Sequence, residues 1–183
     1  MRKKMMFVFN PHAGKAQIRN KLMDIVDIFA KNNYDITIYP TQSAKDAMEV
    51  TRDLPEDTYD LVVCSGGDGT LDQVVTGMMR REEKLPIGYI PAGSTNDFAN
   101  SLKIPKNMIR AAEVAIGEEY FLSDIGTFNN DNFVYIAAFG MFTDVSYQTK
   151  QEVKNILGHA AYILEGMKRL NSIKAYKMKI QCN

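Results

Sequence analysis

Gly66-Gly67-Asp68-Gly69-Thr70 puts three glycines, a carboxylate and a hydroxyl into five consecutive residues. Before it stands a short, β-prone apolar run, Leu61-Val62-Val63-Cys64, which reads as a strand buried on both faces. After it Leu71, Val74, Val75, Met78 and Met79 recur at helical spacing, one face of an amphipathic helix. A glycine-rich turn between a buried strand and a helix N-terminus suits a phosphate group. The N–H groups of the first helical turn point outward, the dipole favours an anion, and glycines let the backbone approach closely. Asp68 is the discordant member, because a bare carboxylate repels phosphate oxygens. It fits if a Mg²⁺ ion stands between them, or if Asp68 holds neighbouring groups in place. The plainer alternative is a tight strand–helix turn with an incidental Asp.

Other segments share that setting. Met5 to Phe9 reads as a buried strand, and Ile18, Leu22, Ile25 and Phe29 mark a helix from about Ala16 to Asn32. Asn10-Pro11-His12-Ala13-Gly14-Lys15 fills the gap between them, where open α/β sheets bind ligands. It is not a Walker A loop: the first glycine is missing, and Ala16 stands where Ser or Thr must meet Mg²⁺. Tyr34 to Tyr39 alternates as a strand, with Thr41 just past its end, where a Thr turn or cap before the next helix, about Ala44 to Leu54, is one reading. Leu85 to Ile90 is a fourth strand with Pro86 at its start. The loop Pro91 to Thr95 leads from it into a helix at Asn96 to Leu102, and Met108 to Ile116 forms another, ended by Gly117. Strands alternating with helices predict a parallel sheet.

Four of these blocks carry a resemblance. Gly66 to Thr70 resembles the signature of the diacylglycerol kinase catalytic domain and its sphingosine and ceramide kinase relatives. Similar glycine turns occur in NAD kinase and 6-phosphofructokinase, so that turn alone selects no substrate. Pro91-Ala92-Gly93-Ser94-Thr95-Asn96-Asp97-Phe98-Ala99 resembles a block of the bacterial lipid kinases, and Asn10 to Lys15 is similar to their Asn-Pro-x-Ser-Gly opening. Asp124-Ile125-Gly126, followed by a strand from Phe133 to Ala138, is the fourth. All four stand in the family's order and spacing and span nearly the whole chain. The departures are Asp72-Gln73 and Thr76-Gly77 for the usual Asn-Glu and Asn-Gly pairs, Ser94 for Thr, and Ala13 for Ser.

The resemblance implies ATP and Mg²⁺ as cofactors and a lipid hydroxyl, most naturally diacylglycerol, as acceptor. The implied nucleotide-binding residues are Asn10, Pro11, His12, Ala13, Gly14, Thr41, Gly66, Gly67, Asp68, Gly69, Thr70, Leu71, Asp72, Gln73, Gly93, Ser94, Thr95 and Asn96. Asp68, Asp97 and Asp124 are the expected catalytic carboxylates, converging on one sheet edge and bridged by Mg²⁺ through water. The structural alternatives are a first-turn helix acid for Asp97 and a strand-end turn residue for Asp124. Two rival functions stand beside the lipid kinase: an NAD kinase-like enzyme, and a nucleotide- or lipid-binding module without turnover. A serine hydrolase is excluded for want of Gly-x-Ser-x-Gly, since residues 62–66 are Val-Val-Cys-Ser-Gly.

Composition agrees with a folded, water-exposed protein: 183 residues, 45% hydrophobic and 24% charged. The formal net charge of zero argues against nucleic acid as a partner. Gln148 to Asn183, however, carries seven Lys or Arg against Glu152 and Glu165. Within it Lys168, Arg169, Lys174, Lys177 and Lys179 are the candidates for attraction to an anionic membrane surface. Cys64 and Cys182 give no disulfide framework, and His12 and His159 are too isolated for a zinc site. The apolar run after Arg2-Lys3-Lys4 is too short for a signal peptide, and Asn10-Pro11 cuts it off. The expectation is a cytoplasmic protein associating peripherally with the inner face of the membrane. A homodimer is left open.

Past Gly117 the pattern changes. Tyr120 to Phe128 and Phe133 to Ala138 read as strands joined by Asn129-Asn130-Asp131-Asn132. A long helix around Val153 to Leu170 and a strand from Ala175 to Gln181 follow. The expected division is therefore an α/β, parallel-sheet ATP-binding domain over 1–117 and the first part of a β-rich lipid-binding domain over 118–183. That second part looks truncated. The resembled family places its general base in an Asp-Gly-Glu segment further along, and no such tripeptide occurs here.

Overall fold

The structure, a computed structural model, describes residues 2–129 and 131–137. Four strands, β1 (Lys3–Phe9), β2 (Tyr34–Pro40), β3 (Leu61–Gly66) and β4 (Ile87–Pro91), form one parallel sheet in the order β2-β1-β3-β4. The connecting helices are α1 (Ile18–Lys31), α2 (Asp46–Arg52), α3 (Asp68–Met79), α4 (Asp97–Ser101) and α5 (Met108–Ala115). The parallel α/β architecture expected over residues 1–117 is the one observed.

Central β1 explains the layering. Its residues alternate between two cores, as the two-residue period of a strand requires. Met5, Phe7 and Phe9 pack with Ile18, Ile25 and Phe29 of α1 and with Met108, Ala111 and Ala112 of α5. Phe7 meets Phe29 edge-on at 5.5 Å between ring centroids, a favoured aromatic geometry. Met6 and Val8 face the other way, onto Ala47 of α2 and Leu71, Val74 and Met78 of α3. Helices cover both faces, which is why β1 and β3 are nearly continuous apolar runs. On the second face α2 and α3 press together at Gly77, where an added Cβ would collide with the carbonyl of Met48 and lie 2.9 Å from Cβ of Thr51.

Arg81 joins the ends of these two helices. Its side chain is buried, and its guanidinium donates to the carbonyls of Leu54, Arg52 (3.4 Å) and Glu83 (3.2 Å), with Glu56 3.9 Å away.

The last described elements are β5 (Gly126–Phe128) and β6 (Asp131–Phe133), an antiparallel hairpin. Here the sequence reading needs correction. Residues 120–125 are not strand: they have no pairing partner among the described residues, and Tyr120, Phe121 and Leu122 are exposed. Asp131 and Asn132, read as loop, belong to β6; Phe128 pairs with Asp131, and Asn129, at φ 56°, opens a two-residue connection. The Phe133 ring lies over Gly126 across the hairpin. A compact unit ends at Ile136, so this hairpin belongs to the same unit as the sheet. The helix expected at Val153–Leu170, the strand at Ala175–Gln181, His159, Cys182 and the basic cluster all lie outside the described residues. Among the described residues no helix is long and apolar enough to cross a membrane.

Candidate functional site

All four strands point the same way, so their C-terminal ends share one edge. The chain leaves β1 for β2 on one side, then crosses to β3 on the other. The loops after β1 and β3 therefore diverge at a topological switch point, where doubly wound sheets form their ligand crevice.

The three glycine-bearing loops meet there. Gly14, at φ +51°, approaches the carbonyl of Ala92 so closely that no side chain fits between them. Gly67 and Gly93 lie against one another: a Cβ on Gly93 would sit 2.5 Å from Cα of Gly67. Gly69, by contrast, faces open space. Gly67 is extended and Asp68 begins α3, so the first-turn amides of that helix open onto the same edge.

Asp68 supplies the bonds that tie the loops together. Its Oδ2 accepts from Oγ1 of Thr95 (3.3 Å) and from the backbone N–H of Asp97 (3.2 Å), and its Oδ1 from the N–H of Phe98 (3.3 Å). It thereby caps α4 from another part of the chain. The second of the two roles foreseen for it, holding neighbouring groups, is the one its hydrogen bonds perform. Asn96, in the left-handed region, closes the same loop: Oδ1 accepts from Gly93 N–H at 2.8 Å and Nδ2 donates to Gly93 O at 3.0 Å. Beneath the turn, the hydroxyl of Tyr89 donates to the carbonyl of Gly66 at 3.1 Å. Burial holds the Tyr89 hydroxyl protonated, reinforced by Cys64, Asp68 and Asp72 nearby.

Beside the loops lies a cleft of about 250 Å³, lined by Asn10, His12, Thr41, Thr70, Gln73 and the start of α2. Thr41 is not a helix cap: the turn before α2 is closed by Asp46, which accepts from the N–H of Gln42 at 2.6 Å. On the first loop, Asn10 Oδ1 accepts from the N–H of His12, and Arg19 donates to Pro11 O at 3.2 Å and reaches His12 Nδ1 at 3.5 Å. Ala13 is buried and Ser94 exposed, while Leu71 turns its side chain into the core.

Three expected site residues, Asp72, Asp97 and Asp124, do not line the cleft. Among the described residues no three His, Cys, Asp or Glu side chains gather to hold a metal ion, so Asp68, Asp97 and Asp124 do not form one cluster. Asp97 is the first residue of α4 and is exposed, as is Asp124. Asp72 does not line the cleft; its Oδ1 accepts from the N–H of Val134 at 3.2 Å. Burial raises its pKa, Asp68 adds to the rise, and the Val134 bond opposes it. Tyr89 and Thr76 were not anticipated. A tyrosine in a strand and a threonine in a helix carry no local signal of partners 23 and 56 residues away.

The fold is a doubly wound α/β domain with three interlocked glycine loops at its switch point, and its relatives identify the family. The chain belongs to the diacylglycerol kinase catalytic domain family, whose profile matches residues 4–128. It is 37% identical over 182 residues to a diacylglycerol kinase of Staphylococcus aureus (strain bovine RF122 / ET3-1), covering 99% of this chain and 58% of that protein. The Staphylococcus haemolyticus (strain JCSC1435) diacylglycerol kinase is 36% identical, with 55% of it covered. This chain thus spans somewhat over half the length of those relatives. A crystal structure from Bacillus anthracis str. Sterne, described provisionally as a diacylglycerol kinase, matches with a TM-score of 0.74 at 27% identity, over 94% of this chain and 56% of that one. A further diacylglycerol kinase structure from the same organism gives 0.63 at 28% identity, over 72% and 45%.

Proposed function

We propose that this chain carries the ATP-binding part of a lipid kinase, which passes the γ-phosphate of ATP to a lipid hydroxyl, converting diacylglycerol to phosphatidic acid. The observation that carries this reading is the contrast between Gly67 and Gly93, packed on each other, and Gly69, which faces open space at the start of α3. Such a surface accepts a phosphate chain along backbone N–H groups and leaves no room for a side chain. Asn10, Thr41, Thr70 and Gln73 then hold the nucleoside side in the adjoining cleft, whose volume is just under the roughly 300–1,000 Å³ usual for small-molecule pockets.

The residues fit a Mg²⁺ ion held chiefly by phosphate oxygens and water. Asp68 already accepts three hydrogen bonds, and exposed Asp97 and Asp124 can act through water. The chemistry such an ion would supply is neutralisation of the charge on the transferring phosphate. The chain's own part is to align loops: Asp68 sets Thr95 and α4 against the phosphate turn, so that the acceptor and the γ-phosphate meet in one orientation. The lipid-facing domain begins after the compact unit that ends at Ile136. The acceptor is met at the inner membrane surface by a cytoplasmic protein, with the basic residues between Gln148 and Asn183 each contributing about 1 kcal/mol of attraction to anionic lipid.

Gly69→Ala tests the site. Its Cβ meets nothing in the protein, and alanine in a helix is favoured over glycine by about 0.5–1 kcal/mol, so stability rises slightly. The same methyl enters the phosphate path, and ATP affinity falls at least about tenfold, the equivalent of ~1.4 kcal/mol. Unchanged ATP affinity rules the site out. Labelled ATP offered with diacylglycerol, with NAD, or without acceptor identifies the acceptor class, and ATP binding with no lipid turnover favours a binding module.

A further inference from the structure

Strands β5 and β6 have three residues each, too little for a hairpin to hold itself in water. Its support comes from α3. In the pairing register, Thr127 and Asn132 form a pair whose N–H and C=O groups point away from the partner strand. The outward groups of β6 are taken by side chains instead of another strand. Thr76 Oγ1 accepts from the N–H of Asn132 and donates to its carbonyl, both at 3.3 Å. Asp72 Oδ1 accepts from the N–H of Val134, the next outward-facing amide along the segment, at 3.2 Å. Asp72 and Thr76 are four residues apart and share one face of the helix. Thr76 is only 5% exposed, so water is a poor substitute for these bonds.

Helix α3 is also the one whose first turn opens onto the phosphate edge, and Asp72 lies one turn beyond Asp68. A single rigid element therefore meets the phosphate site at one end and the hairpin along its side. Asp124 stands two residues before the hairpin begins. We propose that Asp72 and Thr76 are positioning residues: by closing the outer edge of β6 they lock the hairpin, and Asp124 leading into it, to the phosphate helix, so that nucleotide binding and hairpin order are linked. The linkage rests on the ATP site proposed above. Linkage is reciprocal: whatever factor nucleotide adds to hairpin order, the ordered hairpin adds to nucleotide affinity.

The test is amide hydrogen exchange at Asn132 and Val134 in the 183-residue chain, with and without a Mg²⁺-bound non-hydrolysable ATP analogue, alongside a titration of that analogue. In the wild type both amides are protected, and nucleotide slows their exchange further. Thr76→Val replaces the hydroxyl with a methyl of similar size. It speeds exchange at Asn132 about fivefold or more, the scale of one net hydrogen bond, and abolishes the extra protection by nucleotide. Analogue affinity falls by no more than the factor by which nucleotide had slowed exchange. Thr76→Ser keeps the hydroxyl and restores the wild-type pattern. Asp72→Asn keeps an oxygen acceptor and leaves Val134 protected, whereas Asp72→Ala exposes it. Analogue binding with no change at either amide overturns the linkage alone, as does nucleotide protection that survives in Thr76→Val. Absence of analogue binding in the wild type overturns the ATP site and the linkage together.

Discussion

Asp68→Ala separates two ways in which a carboxylate serves a phosphate site. If Asp68 acted only on ligand or metal, the unliganded protein would not notice its loss. The hydrogen bonds say otherwise: the variant removes the acceptor for Thr95 Oγ1 and for the N–H groups of Asp97 and Phe98. Bonds to a charged acceptor are worth about 1.5–3 kcal/mol each when shielded. Asp68 is half-buried, so water partly replaces it in the variant and the three together amount to about 2 kcal/mol. A first-turn acid also loses about 0.5 kcal/mol of helix-dipole stabilisation. With a urea dependence of roughly 2 kcal/mol per molar, the midpoint falls by about 1 M. Asp68→Asn, which keeps one oxygen acceptor but must turn its NH₂ toward the Asp97 N–H, falls by about half as much. The assay is urea unfolding without nucleotide, followed by circular dichroism and by tyrosine fluorescence, since the chain has no tryptophan. The transition stays cooperative in both variants, while ATP affinity is lost in Asp68→Ala. Midpoints equal to wild type in both would refute the bracing role.

Asp72→Asn gives a second prediction. Burial and Asp68 raise the Asp72 pKa in the folded state, so keeping it ionised costs stability above that pKa; the cost disappears as pH falls through the folded and then the unfolded pKa. Asp72→Asn is therefore more stable than wild type at neutral pH, and the advantage vanishes in mild acid, as urea midpoints at the two pH values will show. Arg81→Met leaves the carbonyls of Leu54, Arg52 and Glu83 without their donor in a buried setting, a loss of about 3 kcal/mol read from the same midpoints. Burial pushes the Cys64 thiol up to about 12, so in a Cys182→Ser background the folded protein resists a thiol reagent at neutral pH and reacts once unfolded.

The parallel sheet was legible because its signals are local. Buried strands advertise themselves as Met5 to Phe9 and Leu61 to Cys64, and helix stripes such as Ile18, Leu22, Ile25 and Phe29 show their period directly. The glycines of the three loops were legible as candidates, but which faces a ligand and which faces another glycine depends on loops 14, 67 and 93 meeting in space. Asp68 was recognisable as discordant, yet its partners Thr95, Asp97 and Phe98 lie some thirty residues away. The bond from Asp72 to the Val134 N–H was out of sight for the same reason: adjacency to Leu71 and Gln73 in sequence does not tell which way a side chain leaves a helix. The 120–125 segment failed differently. Its Tyr120-Phe121-Leu122 run satisfies strand propensity, but a strand exists only when another pairs with it.

The position of β1 has a consequence for how the chain assembles. It lies in the interior of the sheet, yet both its neighbours are synthesised after it: β2 aligns Met5 with Ile36, and β3 aligns Met5 with Leu61. Until β3 leaves the ribosome, Met5 to Phe9 has an open edge, and closing a loop of more than fifty residues is slow compared with local helix formation. An apolar strand waiting that long is an aggregation hazard. Arg2, Lys3 and Lys4 directly precede it, and Lys3 and Lys4 remain exposed after folding, the place where charge best deters a premature partner. Charge there protects the nascent chain, and neutralising Lys3 and Lys4 is expected to cost yield of folded protein more than stability.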